Sequence, residues 1–400
     1  MYRNQSITCF KRSFSNFQFT IGSFFPVYWK IYLVIKLLCI SLFFSCNKSS
    51  TNISSKDSVK IDTVIFESKG EVIDLGEEGE FLVSSDMSED ASTYYIFNLE
   101  KRLLYMLDLK TKKLLSKLEM PSEGPNGIGD WLIDFQMMND SSFIVQGDNV
   151  FYLFDKTGKR MDKTRVDHLF YFYPELTRKF SNIGFLYKDE QFHFTTGEVG
   201  TIESEIISYN PKNDSLVLRE IPSIDLIKNW SMISTVKSFT FYSTPAFVIN
   251  DYPNGFIVVN RGLPDMTAYL NNGDIVNTKP NSSKFFDDLV PVEEIFRAQN
   301  ETAEKEFKKE LEKQMNFLRP VVDEQKQMLY RFGYRLASDG NSYDNYLFEY
   351  DLNLTLTQET QLEGVKIKPK KMFLRDSTFY LAVSFDDEPG FLIFRNPFGK

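Results

Sequence analysis

The run Tyr152-Leu153-Phe154-Asp155-Lys156-Thr157-Gly158-Lys159 reads as a strand entering a turn. Three apolar residues supply the strand. Asp155 can accept hydrogen bonds from its own turn, and Gly158 permits the positive φ that closes a hairpin. The same mark recurs along the chain. Tyr105-Met106-Leu107-Asp108 precedes Leu109-Lys110-Thr111, and Ile207-Ser208-Tyr209-Asn210 precedes Pro211-Lys212-Asn213. Ala268-Tyr269-Leu270-Asn271 precedes Asn272-Gly273-Asp274, and Phe348-Glu349-Tyr350-Asp351 precedes Leu352-Asn353-Leu354. Leu392-Ile393-Phe394-Arg395-Asn396 is a worn sixth copy. A second mark, an acidic or Asn turn before an apolar strand, occurs at Asn139–Val145, Tyr252–Val259 and Asp376–Val383.

The first marks stand 47, 55, 61, 80 and about 45 residues apart. That spacing suits four-stranded propeller blades, each mark being the hairpin of the third and fourth strands. Six marks predict an all-β, six-bladed β-propeller. Seven blades, or a pair of β-sandwiches, are the alternatives. Ile61–Leu75 offers a strand pair that could complete the last blade and close the ring. The 80-residue gap holds Val292–Leu318, with Phe296, Ala303, Phe307, Leu311 and Met315 at helical spacing. Glu301/Lys305 and Glu304/Lys308 form i,i+4 pairs, and Pro320 ends the run. One inserted amphipathic helix is expected over 292–318. It either packs on the propeller or serves a partner protein.

The N-terminus carries a different signal. Residues 1–45 hold Arg3, Lys11, Arg12, Lys30 and Lys36 and no acid. Lys30 flanks the apolar run Ile31–Phe44, which ends at Ser45-Cys46. A basic flank, a short apolar core and a small residue before cysteine form the layout of a secretory signal. The run is short for a spanning helix, which needs about 20 residues. The Ser45-Cys46 junction resembles a bacterial lipobox, with Phe43 where Leu is usual and Phe44 where a smaller residue is usual. Residues 1–45 are therefore read as a signal peptide, residues 1–28 of it as an over-extended start, and 46–58 as a Ser-rich tether. The resemblance implies acylation, palmitate included, on Cys46. Several acyl chains on one residue anchor stably where one alone is marginal. Residues 59–400 remain for the propeller.

Composition narrows the function. The chain has 400 residues, 42% hydrophobic and 25% charged, as a globular protein does. Its net charge is −9, and removing residues 1–45 leaves 41 basic against 55 acidic residues, or −14. That argues against nucleic acid as a partner. The three cysteines, Cys9, Cys39 and Cys46, all precede the body, so neither a disulfide scaffold nor a cysteine metal site is expected there. The sequence contains no nucleophile elbow, P-loop, Gly-x-Gly-x-x-Gly or His-Glu-x-x-His. His168 and His193 sit in separate strand contexts. Asp287-Asp288 and Asp386-Asp387-Glu388 read as solvated turns, and Asp339–Asp344 as an ordinary turn rather than a calcium loop. No catalytic residue, cofactor or metal is expected.

Asp140–Val166 resembles a blade of the six-bladed propeller lipoproteins of Bacteroidetes. Glu123-Gly124-Pro125-Asn126-Gly127-Ile128-Gly129-Asp130-Trp131 resembles their Gly-Pro loop between blades. The plan of lipobox, tether and propeller over residues 46–400 is similar to an uncharacterised family of such lipoproteins, domain of unknown function 4221. The resemblance implies fold and anchoring, and no activity.

Binding residues are sought where inter-blade loops meet the central channel. Trp131, Arg261, Arg331, Tyr334 and Arg335 are the candidates, because aromatic faces and guanidinium groups suit sugars, carboxylates or peptides. The expected function is a non-enzymatic, membrane-anchored propeller binding a protein or glycan at the cell envelope. It would be held to the outer membrane through Cys46, the periplasmic side being favoured by the lack of an acidic run after that residue. The alternatives are an envelope enzyme acting on glycans or peptides, and a structural subunit docking through the inserted helix.

Overall fold

The structure is a computed structural model. It describes residues 59–66, 83–169, 184–197, 204–227, 232–236, 239–243, 247–279, 283–285, 296–298, 300–385 and 388–399. The signal segment, Cys46, the tether and Asp287-Asp288 lie outside the described residues, as do Asp386 and Asp387.

Six antiparallel sheets follow one another along the chain. Blade 1 comprises Val83–Met87, Thr93–Asn98, Leu103–Asp108 and Lys113–Glu119. Blade 2 comprises Leu132–Asn139, Ser142–Gly147, Val150–Asp155 and Arg160–Arg165. Blade 3 comprises Phe185–Lys188, Gln191–Gly197, Ser204–Asn210 and Ser215–Glu220. Blade 4 comprises Phe247–Tyr252, Gly255–Asn260, Met266–Leu270 and Ile275–Asn277. Blade 5 has a split first strand, Asn316–Phe317 and Val321–Asp323, then Met328–Leu336, Tyr343–Asp351 and Leu356–Gln361. Blade 6 takes Lys371–Arg375, Thr378–Phe385 and Glu388–Arg395 from the C-terminus, and Ile61–Ile65 from the N-terminal side of the propeller. The register runs from Ile61 opposite Phe394 to Ile65 opposite Gly390. The fold is thus a six-bladed β-propeller closed by a strand from each end. Closure removes the long open edge that an aromatic-rich sheet would otherwise expose.

All six sequence marks fall where a third strand ends, and the Asx chemistry is visible. Asp108 Oδ1 accepts from the Lys110 and Thr111 amides at 2.8 and 2.7 Å. Asp155 Oδ1 accepts from the Thr157 and Lys159 amides at 2.9 and 3.1 Å. Asp351 Oδ1 accepts from Asn353 and Thr355 at 2.9 and 2.8 Å. In blade 4 the role moves one residue on, to Asn272, which accepts from the Asp274 amide at 3.0 Å beside Gly273 at φ +93°. In blade 6 Asn396 accepts from Phe398. Its fourth strand comes from the N-terminal side, so no hairpin follows, which is why this copy reads as worn.

The core is divided among the six seams between blades. Phe97, Phe135, Phe143 and Phe154 pack ring to ring in sequence at 5.4–5.6 Å between blades 1 and 2. Phe151, Phe185, Phe192 and Phe194 fill the next seam. Val64 and Phe66 complete the last one against Tyr94 and Phe391. Each fully buried ring contributes about 1.5–3 kcal/mol, so the closing strand is held by packing as well as by hydrogen bonds.

The long gaps hold insertions. Met232–Val236 and Phe239–Ser243 pair antiparallel, and Phe296–Ala298 adds in parallel to the former, making a small three-stranded sheet that the sequence reading did not foresee. The inserted helix is shorter than expected, Glu301–Lys313 rather than 292–318. Asn300 caps it by accepting from the Ala303 amide at 2.9 Å, and the chain returns to strand at Asn316 because that segment pairs with blade 5. Phe307 and Met315 are buried and Leu311 packs on the seam of blades 3 and 4. The apolar edge of the helix therefore lies on its own propeller. Pro320, expected to end the helix, instead interrupts the first strand of blade 5, because it has no amide to give the ladder.

Candidate functional site at the channel mouth

The first strands of successive blades are neighbours around the ring. Lys371 Nζ of blade 6 donates to the Ser85 carbonyl of blade 1 and completes the circle. These strands all run the same way, so their starting ends share one mouth of the central channel. Trp131 and Gly184 stand just before first strands, and Arg261 just after a second strand, all at that mouth.

Arg319 sits in the Pro320 interruption and reaches across the ring. Its Nη2 lies 3.6 Å from Asp134 Oδ2, joining blade 5 to blade 2, which face each other in a ring of six. At 3.6 Å this is an ion pair without a hydrogen bond. Among the described residues the guanidinium makes that pair and no hydrogen bond, so its donors are largely unused. Asp134 Oδ1 accepts from Ser84 Oγ at 2.6 Å and from the Phe135 amide at 2.8 Å, which fixes the carboxylate. Gly184, at φ +76°, makes room for the contact. A Cβ there would lie 3.0 Å from Asp134 Oδ2 and 3.2 Å from Arg319 Nη2.

Deeper in the channel, Asp86 accepts from the amides of Met87 and Met137 at 2.9 and 3.0 Å. Arg375 donates to the Ser88 and Met87 carbonyls at 3.0 Å each. Burial pushes the Lys371 ammonium's pKa down, opposed by Asp86.

Gln146 lies directly opposite Asp134 in the blade 2 ladder. It is fully buried, and neither atom of its amide has a hydrogen-bond partner. Each unsatisfied group of this kind costs about 1–3 kcal/mol. Asn250 donates to the Pro320 carbonyl at 3.0 Å while its Oδ1 is also buried and unpartnered. A bulge at Ile133 places Leu132 and Asp134 opposite the consecutive residues Gly147 and Gln146. Leu132 and Asp134 consequently point to opposite faces, and Trp131, bonded through its carbonyl to the Asp148 amide, falls on the face of Asp134 and Gln146. Trp131 is 80% exposed.

The other residues marked in the sequence have different surroundings. Arg331 is fully buried, its guanidinium donating to the carbonyls of Asn260 (2.7 Å), Pro264 (2.8 Å) and Leu318 (3.4 Å) and lying 4.4 Å from the Phe317 ring. Burial lowers its pKa to about 10 and raises that of neighbouring Asp265. It is a joint between blades 4 and 5, not a surface ligand contact. Tyr334 is buried too, its hydroxyl accepting from half-buried Arg261. Arg335 lies over Tyr346 and donates to the Phe285 carbonyl at 3.4 Å. Arg261, Arg331 and Arg335 lie where blades 4 and 5 meet and Tyr334 packs in the seam of blades 5 and 6, while Trp131 stands across the channel in blade 2. Arg319, Asp134, Gln146 and Asn250 were missed. The available signal was Gln146 itself, a polar residue in the otherwise apolar run Phe143–Val145.

His168 and His193 are separate, His168 pairing with Asp214 at 2.9 Å and His193 with Ser208 at 2.8 Å. The Asp339 carboxylate accepts from the Asn341 and Ser342 amides and from Ser342 Oγ, which holds its pKa down at about 2. Its own loop occupies it, as an ordinary turn requires. Among the described residues no cluster of His, Cys, Asp and Glu suited to a metal ion occurs. A cleft of about 220 Å³ lies between blades 2 and 3, walled by Ile144, Phe151 and Phe192 and rimmed by Asp162, Glu190 and Lys212.

No curated relative matches this chain. Among solved structures it is similar to a DUF4221 family member from Bacteroides vulgatus, with a TM-score of 0.57 and 11% identity over 84% of this chain and 96% of that one. It is also similar to a protein assigned as exported from Bacteroides fragilis, with a TM-score of 0.50 and 10% identity over 86% and 96%. At such identities the likeness shows the fold. A family model, domain of unknown function DUF4221, matches residues 50–361. With most of its length matched, the chain belongs to the DUF4221 family.

Proposed function

We propose that this protein is a lipid-anchored propeller of the cell envelope that binds a protein or glycan at the channel mouth without transforming it. The single observation carrying the reading is the mouth itself. Arg319 crosses the ring with unused donors to a fixed carboxylate, and Trp131 stands exposed at the start of the strand that carries that carboxylate. Guanidinium donors left unspent and an open aromatic face suit recognition. Anchoring rests on Ser45-Cys46 and the polar tether that follows. The acyl chains on Cys46 would provide attachment; among the described residues no helix is long and apolar enough to cross a membrane. The inserted helix is a poor docking element, since Phe307 is already buried against the propeller.

The test is extraction from the native membrane in mild detergent, with a Cys46→Ser strain as control. The protein is expected in the membrane fraction when Cys46 is intact and in the soluble fraction of the variant. What co-purifies should be lost on Trp131→Ala or Arg319→Gln. Membrane retention in the Cys46→Ser strain would overturn the anchor, and co-purification indifferent to both mouth variants would overturn the site.

A further inference from the structure

We propose that the outer rim of blades 6, 1 and 2 docks on the anionic phospholipid headgroups of the bilayer that holds Cys46; this surface is separate from the channel mouth and rests on the anchor reading. The charge asymmetry of the outer strands carries it. In blades 1 and 2 the last turn and outer strand, residues 108–119 and 155–165, hold nine basic residues against four acidic, or +5. The equivalent segments of the other blades, 210–220, 271–277, 351–361 and 59–65, run from 0 to −2. Lys110, Lys112 and Lys113 stand exposed on the blade 1 turn, and Lys156 and Lys159 on the blade 2 turn. Among the described residues none of these five forms an ion pair. Asp108 and Asp155, which open the turns, are engaged by their own turn amides. Glu89, Asp90 and Asp140 stand at the same end, but on the turns between first and second strands, nearer the channel axis. The two basic segments adjoin, since a Cβ on Gly158 would lie 3.0 Å from Leu118 Cδ1. A cluster of like charges without partners is relieved by an anionic surface.

Charge alone would suit any polyanion, and two further observations select a bilayer. Each outer strand of these three blades also exposes an apolar side chain, Ile65 at 41%, Leu115 at 56% and Met161 at 52%. Lysines interspersed with exposed apolar side chains make an interfacial surface, on which the cations meet phosphates and the apolar groups enter between headgroups. Blade 3 exposes Val217 and Leu218 on its outer strand without an excess of cations. The second observation is where the tether joins. Residues 46–58 lead into Ile61–Ile65, the outer strand of blade 6, and blade 6 packs against blade 1. Those 13 residues span at most about 45 Å, so an acylated Cys46 would keep this side of the ring within reach of the bilayer. Acyl chains and a basic patch are complementary attachment signals.

The experiment uses the full-length Cys46→Ser protein, which lacks the acyl chains, and reads co-sedimentation with vesicles. Vesicles of phosphatidylglycerol and phosphatidylcholine are compared with vesicles of phosphatidylcholine alone. Binding is expected to the anionic vesicles only, and is expected to be lost in high salt. Combining Lys110→Gln, Lys112→Gln, Lys156→Gln and Lys159→Gln should weaken it at least about a hundredfold, each lysine contributing about fivefold. Leu115→Ser with Met161→Ser should weaken it about tenfold. Lys305→Gln with Lys309→Gln, exposed on the inserted helix, should leave it unchanged. All the altered side chains are exposed, and thermal melting verifies the fold. No binding to anionic vesicles, or binding indifferent to the four lysines, would overturn the rim and leave the acyl anchor standing. Binding to soluble polyglutamate as tight as to vesicles, and indifferent to Leu115 and Met161, would overturn the bilayer in favour of an acidic polymer. Salt reverses attachment through the rim and not through acyl chains, so a salt wash of the native membrane reads the two separately.

Discussion

Replacing Gln146 by leucine should make this protein more stable, against the usual effect of a core substitution. The amide is fully buried and neither its oxygen nor its nitrogen has a partner. Leucine is similar in size and removes both groups. Relief of about 1–3 kcal/mol is expected, allowing for imperfect packing of the branched side chain. Unfolding entropy of about 2.1 cal/mol/K per residue makes that a rise in Tm of roughly 1–4 °C for a propeller of this length. Urea midpoints and calorimetry on the two proteins measure it. Gln146→Ala should instead lose stability, because it leaves a cavity. If leucine lowers stability by more than about 1 kcal/mol, the amide has partners in the free protein and the reasoning from an unpaired group fails.

Three further predictions follow from particular contacts. Gly184→Ala should destabilise by about 1–3 kcal/mol, from positive φ and from crowding of Asp134 and Arg319; an unchanged urea midpoint would show that the loop before blade 3 yields freely. Arg331→Leu should cost about 3–5 kcal/mol by stranding three carbonyls, and Arg331→Lys should not restore them because an ammonium lacks the planar fork. His193 is held down at about 4, first by burial and then by Arg219, with Asp189 opposing and Lys188 assisting. The unfolded imidazole takes its proton near 6.5 and the folded one near 4, so this stabilisation is full above pH 6.5 and is lost as pH falls toward 4. The loss is on the order of 3 kcal/mol. His193→Gln should flatten the urea midpoints between pH 7 and pH 4.5, and a curve as steep as wild type would assign the effect elsewhere.

The fold was legible because its signal is local. Asp155 and its counterparts bond to their own turns, so the blade period survives in sequence even where strands differ. The sixth copy was worn for a topological reason, its partner strand being Ile61–Ile65 at the far end of the propeller. The small sheet around Met232–Val236 was not legible, since its parallel strand, Phe296–Ala298, lies far along the chain. The candidate site was half legible. The exposure of Trp131 could be read because an aromatic after a Gly-Pro loop and before a strand stands at a mouth. Arg331 was found for its charge and misread, because burial under three carbonyls is a tertiary fact. Arg319 was hidden, as its partner Asp134 is on the opposite side of the ring and Pro320 beside it resembles a helix stop. Cys46 lies outside the described residues, and its proposed lipidation rests on sequence.

The most direct test of the account is a crystal structure of the protein with the partner that co-purifies with it. A partner group seated on Trp131 and within hydrogen-bonding distance of Arg319 at the channel mouth is the predicted result. A partner bound elsewhere, with the channel mouth unoccupied, would contradict it.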